Sequence, residues 1–170
     1  KAEAEVNAKN KEGVSPLLYS VQEGHFQVAK ILIEAGANID HQMEDGWTAL
    51  MYASQQNYLK IMELLIDSGA NVNKQTKSGM TALMIASYKG NIKVIDFLLD
   101  NSADINMKDD YGRIALMYAA HEGNCGAVEL LIDNGADIKA KMKNGETAYD
   151  VAEDQGNYEV LQMLNIANTE

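Results

Sequence analysis

The chain has one cysteine, one tryptophan and three histidines, and no long apolar run. A lone thiol, Cys125, cannot close a disulfide within the chain or build a cysteine-based metal site. No apolar stretch approaches the ~20 residues that a membrane helix needs. Basic residues are scarce as well, with 14 Lys and Arg against 25 Asp and Glu and a net charge of −11. That balance opposes nucleic acid and anionic membranes as partners, because their phosphates need compensating cations. It favours a protein partner with a basic patch, although acidity that serves only solubility accounts for it equally well.

The residues that carry catalysis are thin on the ground. His25, His41 and His121 fall at three unrelated positions, and His25 reads as structural. His121-Glu122 opens like a zinc-binding helix, but Gly123-Asn124-Cys125 brings no second histidine. No glycine-rich phosphate loop follows a strand, and no serine occupies a nucleophile elbow. Asp104, Asn106, Asp110 and Gly112 echo a calcium loop, yet Lys108 stands where an oxygen ligand belongs. Turn formation explains those Asp and Asn residues better. The expectation is a protein that is not an enzyme and holds no metal or cofactor.

What is present is a period. Gly13, Gly46, Gly79, Gly112 and Gly145 recur every thirty-three residues, the mark of a solenoid of stacked units. After each glycine comes a Ser or Thr (Ser15, Thr48, Thr81, Thr147; Ile114 is the exception), then Pro or Ala, suited to an N-cap and first helical residue. Leu17, Leu50, Leu83, Leu116 and Tyr149 form an apolar column. A Gly or Asn column (Gly24, Asn57, Gly90, Gly123, Gly156) breaks the first helix and reverses the chain. A second helix with one apolar face follows, as in Ile61, Leu64 and Leu65. Gly36, Gly69 and Gly135 stop it, and a polar segment then turns toward the next glycine. Each unit reads as helix, turn, helix and protruding β-turn finger. One unit cannot cover its own apolar face, so the units must stack.

The pattern resembles the ankyrin repeat. The likeness rests on Gly-x-Thr-Ala-Leu-Met-x-Ala at 46–53 and 79–86, Gly-x-Ser-Pro-Leu-Leu at 13–18, and Leu-Leu-Ile-Asp-x-Gly-Ala at 64–70 and 130–136. It implies an all-α solenoid with units 13–45, 46–78, 79–111, 112–144 and 145–170. Residues 1–12 then form the tail of a preceding repeat or a degenerate N-terminal cap, with Ala4 and Val6 aligned on Ala37 and Ile39. A first residue of Lys rather than Met points to a trimmed or processed chain. The cytoplasm is the first expectation for its compartment, with export after processing as the alternative.

Departures from the family pattern mark individual positions. A histidine usual after Thr-Pro-Leu is replaced by Leu18, Met51, Met84, Met117 and Asp150, so its bonds are missing and a soft methionine layer stands in for them. Ser102 takes a left-handed glycine position, and Gly126 sits inside a helix, each at a cost of about 1 kcal/mol. These place the weakest link between the third and fourth repeats. Cys125 aligns with apolar residues and reads as buried filler. The setting of Asn106 resembles that of ankyrin asparagines hydroxylated by 2-oxoglutarate-dependent dioxygenases, but a turn-stabilising role is the commoner case.

Family resemblance implies a non-catalytic module that binds a protein partner through its finger tips and concave inner-helix face. The candidate contact residues are Glu44, Asp45, Trp47, Tyr52, Lys77, Met80, Tyr88, Lys89, Tyr111, Arg113, Tyr118, His121 and Glu122. Trp47 is the sharpest candidate, since its column otherwise holds Val14, Met80, Arg113 and Glu146. It is expected to be exposed, flanked by Tyr52, Met80 and Tyr111. The alternative function is a dedicated inhibitor that inserts fingers into an enzyme's active-site cleft. The isolated chain is expected to be a monomer.

Overall fold

The structure, a computed structural model, describes residues 5–167; Ala4, one half of the proposed N-terminal alignment, lies outside them. Among the described residues, all regular structure is helical. Five hairpins follow in order: α1 (Pro16–Gln22) with α2 (Phe26–Glu34), α3 (Ala49–Gln55) with α4 (Leu59–Asp67), and α5 (Ala82–Lys89) with α6 (Ile92–Asp100). They continue as α7 (Ala115–His121) with α8 (Cys125–Asp133) and α9 (Ala148–Gln155) with α10 (Tyr158–Ala167). The odd-numbered helices pack in file, α1 on α3, α3 on α5, α5 on α7 and α7 on α9. Even-numbered helices form an outer row behind them.

The inner helices approach closely because their facing residues are small. Ser20, Ala53, Ala86, Ala119 and Ala152 are all buried between them. Leu17, Leu50, Leu83 and Leu116 fill the core above, and Met51, Met84 and Met117 form the expected buried layer. Caps start these helices. Ser15, Thr48, Thr81 and Thr147 each accept the backbone N–H three residues on. Ile114 cannot, but it is fully buried, so apolar burial replaces the hydroxyl.

The column expected to have lost all polar bonds keeps some. Asp150 accepts the Thr147 backbone N–H at 2.7 Å and its hydroxyl at 2.6 Å, and the Thr81 N–H reaches Met84 Sδ at 3.4 Å. Thr147 thereby holds the Asp150 carboxyl below the usual carboxylate range. Asn57 and Ser102 adopt left-handed backbone at φ 59° and 65°, as their columns require. Gly126 lies inside α8, as its second residue, and a Cβ there would meet Ile92 Cδ1 at 3.2 Å. Cys125 is half-buried rather than buried. Burial first, then the hydrogen bond and charge of Glu159, push its thiol up, away from the reactive thiolate.

Polar ladders join unit to unit. Asn7, Asp40, Asn73 and Asn106 each accept, through Oδ1, a backbone N–H thirty-one residues later at 2.7–3.0 Å. Asn106 also donates to the Gly135 carbonyl, so its side chain is committed to the fold. Gln42 Nε2 donates to the carbonyls of Gly46 and Gln75, and Gln75 repeats the pattern on Gly79 and Lys108. Asn91, Asn124 and Asn157 tie each outer-helix start to the preceding inner helix. The carboxylate of Asp104 is spent likewise, on the Asn106 N–H. His41 is buried and donates from Nε2 to the Gly13 carbonyl at 2.7 Å.

Candidate functional site: the finger row and concave face

Each finger is a tight turn closed by a backbone pair, such as Met43 N–H to the Trp47 carbonyl with Gly46 N–H to that of Met43. Adjacent fingers are stitched together: Lys77 N–H bonds the Asp45 carbonyl, Asp110 N–H that of Ser78, and Lys143 N–H that of Tyr111. The approach is close enough to require glycine. At Gly46, with φ +88°, an added Cβ would lie 2.6 Å from Lys77 N and 2.7 Å from Thr76 Cα. The finger tips therefore form a continuous edge rather than separate loops, and Glu44, Asp45 and Lys77 are exposed along it.

Trp47 is half-buried, not exposed. Its ring packs against Tyr52, tilted at 45° with 4.8 Å between centroids, and the Tyr52 hydroxyl reaches Met43 Sδ at 3.3 Å. Burial, then the charge of Asp45, push the Tyr52 phenol up. The expected partnership with Tyr111 does not form, because the Lys77–Ser78 tip stands between their fingers. The aromatic residues thus make two clusters. Trp47 and Tyr52 are one, with half-buried Met80 packed on the core one finger along.

The second cluster is built around a residue that the sequence reading passed over. Asp109, at the base of the fourth finger, has a fully buried carboxylate with four donors. Oδ1 accepts the N–H groups of Tyr111 and Arg113, both at 2.8 Å. Oδ2 accepts Arg113 Nε at 2.8 Å and the Tyr118 hydroxyl at 2.7 Å. Burial works to raise this carboxyl, but the Tyr118, Arg113 and Tyr111 hydrogen bonds outweigh it and hold it below the usual range. Tyr118 responds in the opposite direction, its phenol raised by burial and then by Asp109. Tyr118, a candidate contact, is itself buried. Arg113 lies over two rings, 4.7 Å from the centroids of both Tyr111 and Tyr118.

Beside this cluster the fingers and inner helices enclose a concavity of about 190 Å³. Tyr88, Met117, Tyr118, Met142 and Val151 give it apolar walls, while Arg113, His121, Glu146 and Asp154 supply polar groups. Tyr88 meets Tyr118 edge-on at 6.5 Å and carries Lys89 Nζ at 5.7 Å from its ring centre. Exposed His121 pairs through Nδ1 with Glu122 at 2.7 Å. Among the candidates, Tyr88, Arg113, Tyr118 and His121 converge here, while exposed Tyr111 meets the site through Arg113. Met142 and Asp154 were not foreseen.

Asp109, behind the Arg113 and Tyr118 side chains of this concavity, has its acceptor capacity taken up by four donors. A volume of about 190 Å³ is also below the roughly 300 Å³ at which small-molecule sites begin.

A family model described as ankyrin repeats matches the chain in three copies, over residues 2–76, 44–109 and 83–169. An ankyrin repeat protein of Rickettsia bellii (strain RML369-C) is 50% identical over 36 residues, which are 21% of this chain and 21% of that protein. The matched stretch spans about a fifth of that relative's length, little more than one repeat.

Proposed function

The chain belongs to the ankyrin-repeat family, whose members are generally protein-interaction modules, and we propose that it is a non-catalytic clamp for a protein partner. The partner lies along the finger tips and the concave face of the inner helices. One observation carries this reading: finger residues Arg113, Met142 and Glu146 line the same concavity as Tyr88 of α5 and Asp154 of α9. Three successive units thus contribute side chains to one surface. A specific interface needs about 800 Å² from each partner, a few residues per unit over several units. Stitched fingers limit the ordering entropy lost on binding. The same reading counts units from 13, 46, 79, 112 and 145, with residues 1–12 as the tail of an earlier one. In support, Asn7 bonds Gly36 and Asn38 just as Asn106 bonds Gly135 and Asp137.

An affinity capture from the source organism tests the reading, with wild type beside Tyr88→Ala/Tyr111→Ala and an outer-helix control, Lys60→Ala/Glu63→Ala. A protein held by wild type and the control but lost by the double variant is the expected result. Equal retention by all three moves the interface off this face. If the captured protein is an enzyme silenced by binding, the module is an inhibitor rather than an adaptor.

A further inference from the structure

The concavity beside α7 carries an unbalanced charge. Arg113 contributes no free cation, since Asp109 neutralises it and the Tyr111 and Tyr118 rings cover it. His121 is occupied by Glu122. Glu146 and Asp154 remain, and neither carboxylate has a hydrogen-bond or ion-pair partner among the described residues. Glu146 touches the fold only through its backbone, and Asp154 is exposed. The walls below them are apolar and aromatic. A complementary group needs a hydrocarbon stem for Met117, Met142 and Val151, and a cation at its end for the two carboxylates.

We propose that this concavity is a subsite for one arginine side chain of the protein partner, a proposal that rests on the interaction-module reading above. Size selects a single side chain, because about 190 Å³ is too little for a larger ligand. Charge selects a cation, both locally and through the net −11 of the chain. The aromatic wall selects guanidinium over ammonium. A planar guanidinium stacks on a ring while its fork of donors serves carboxylates, whereas an ammonium acts as a compact, strongly hydrated point. Tyr88 offers the ring, on a residue 42% exposed. Lys89, near that ring, is the competing cation that an incoming arginine displaces.

The test needs no partner protein, so its failure is separate from failure of the capture experiment. The full chain is labelled at its nine methionine methyl groups and titrated with N-acetyl-arginine methylamide, followed by carbon–proton NMR. Met117 and Met142 are the reporters at the site. The expected result is a saturable shift of both methyls with a dissociation constant in the millimolar range. Glu146→Gln/Asp154→Asn should weaken it about tenfold, as should Tyr88→Ala. N-acetyl-citrulline methylamide, the uncharged analogue, should leave the methyls in place. Non-saturating shifts, equal shifts from citrulline, unchanged affinity in the carboxamide variant or tighter binding of N-acetyl-lysine methylamide each overturn the assignment.

Discussion

Replacing Asp109 tests whether its carboxylate is the keystone of the fourth finger. Asp109→Ala removes the acceptor for four donors at once. The Tyr118 hydroxyl, on a residue only 7% exposed, loses its partner, and a buried unsatisfied group costs about 1–3 kcal/mol. Two backbone N–H groups add a comparable amount where water cannot reach them. Arg113 adds less: its side chain is 33% exposed, so solvent screens the lost ion pair to about 0.5–1 kcal/mol. The total expected is about 3–5 kcal/mol, set against the roughly 5–15 kcal/mol that stabilises a domain of ordinary size. Asp109→Asn keeps one oxygen for the two backbone donors, loses the charge and the Arg113 Nε bond, and lets the Tyr118 hydroxyl turn to accept from the new amide, so about 1–2 kcal/mol is expected. Urea unfolding followed by far-ultraviolet circular dichroism measures both. A double-mutant cycle with Tyr118→Phe should show clear non-additivity, because the two side chains share a bond. If the alanine variant lost less than about 1 kcal/mol, or matched the asparagine variant, the keystone role would be refuted.

The glycines differ in what they tolerate. Gly46→Ala drives a Cβ into the Thr76–Lys77 backbone, whereas Gly145→Ala at φ +94° meets nothing within 4 Å. The second should cost about 1 kcal/mol and the first at least about 2 kcal/mol more, read from urea midpoints; equal losses would disprove the close approach of the fingers. Tyr118 predicts the alkaline limb of stability. Its folded pKa is raised, so the stabilisation is complete below the unfolded phenol value of about 10 and is lost as pH climbs through the higher folded value. Absorbance at 295 nm should show Tyr118 ionising only with the circular dichroism transition, and all eight tyrosines titrating before unfolding would contradict it.

Much of the architecture was legible because the repeated glycines and apolar columns are dictated by backbone conformation and close packing. Gly24, Asn57, Gly90, Gly123 and Gly156 all take the left-handed backbone that the column demands. Side-chain bonds to a neighbouring unit were harder to read, since they depend on which finger a residue faces. Even so, Asn7, Asp40, Asn73 and Asn106 stand in one column, as do Asn91, Asn124 and Asn157, and both signals were available in the spacing. Asp109 could have been found in the same way. Asn10 and Thr76 share its column, and each accepts an N–H across its own finger. What the spacing could not reveal was Arg113 folding back between two rings, or Trp47 settling on Tyr52. Those depend on rotamers chosen by local packing, which no periodicity records.

The ladders also set a rule for how the gene can change. Among the described residues, the long-range side-chain bonds between units span 29 to 37 residues, so each partner lies in an adjacent unit. Deleting residues 46–78 would bring Gln42 before the finger that Gln75 now serves, and each rung would find an equivalent mate. Duplication of the same segment would do likewise. Removing thirty or thirty-five residues would misalign every rung that spans the cut. Unequal recombination between near-identical stretches such as 46–53 and 79–86 makes insertions and deletions of whole units, and those are the changes that this lattice of bonds accepts.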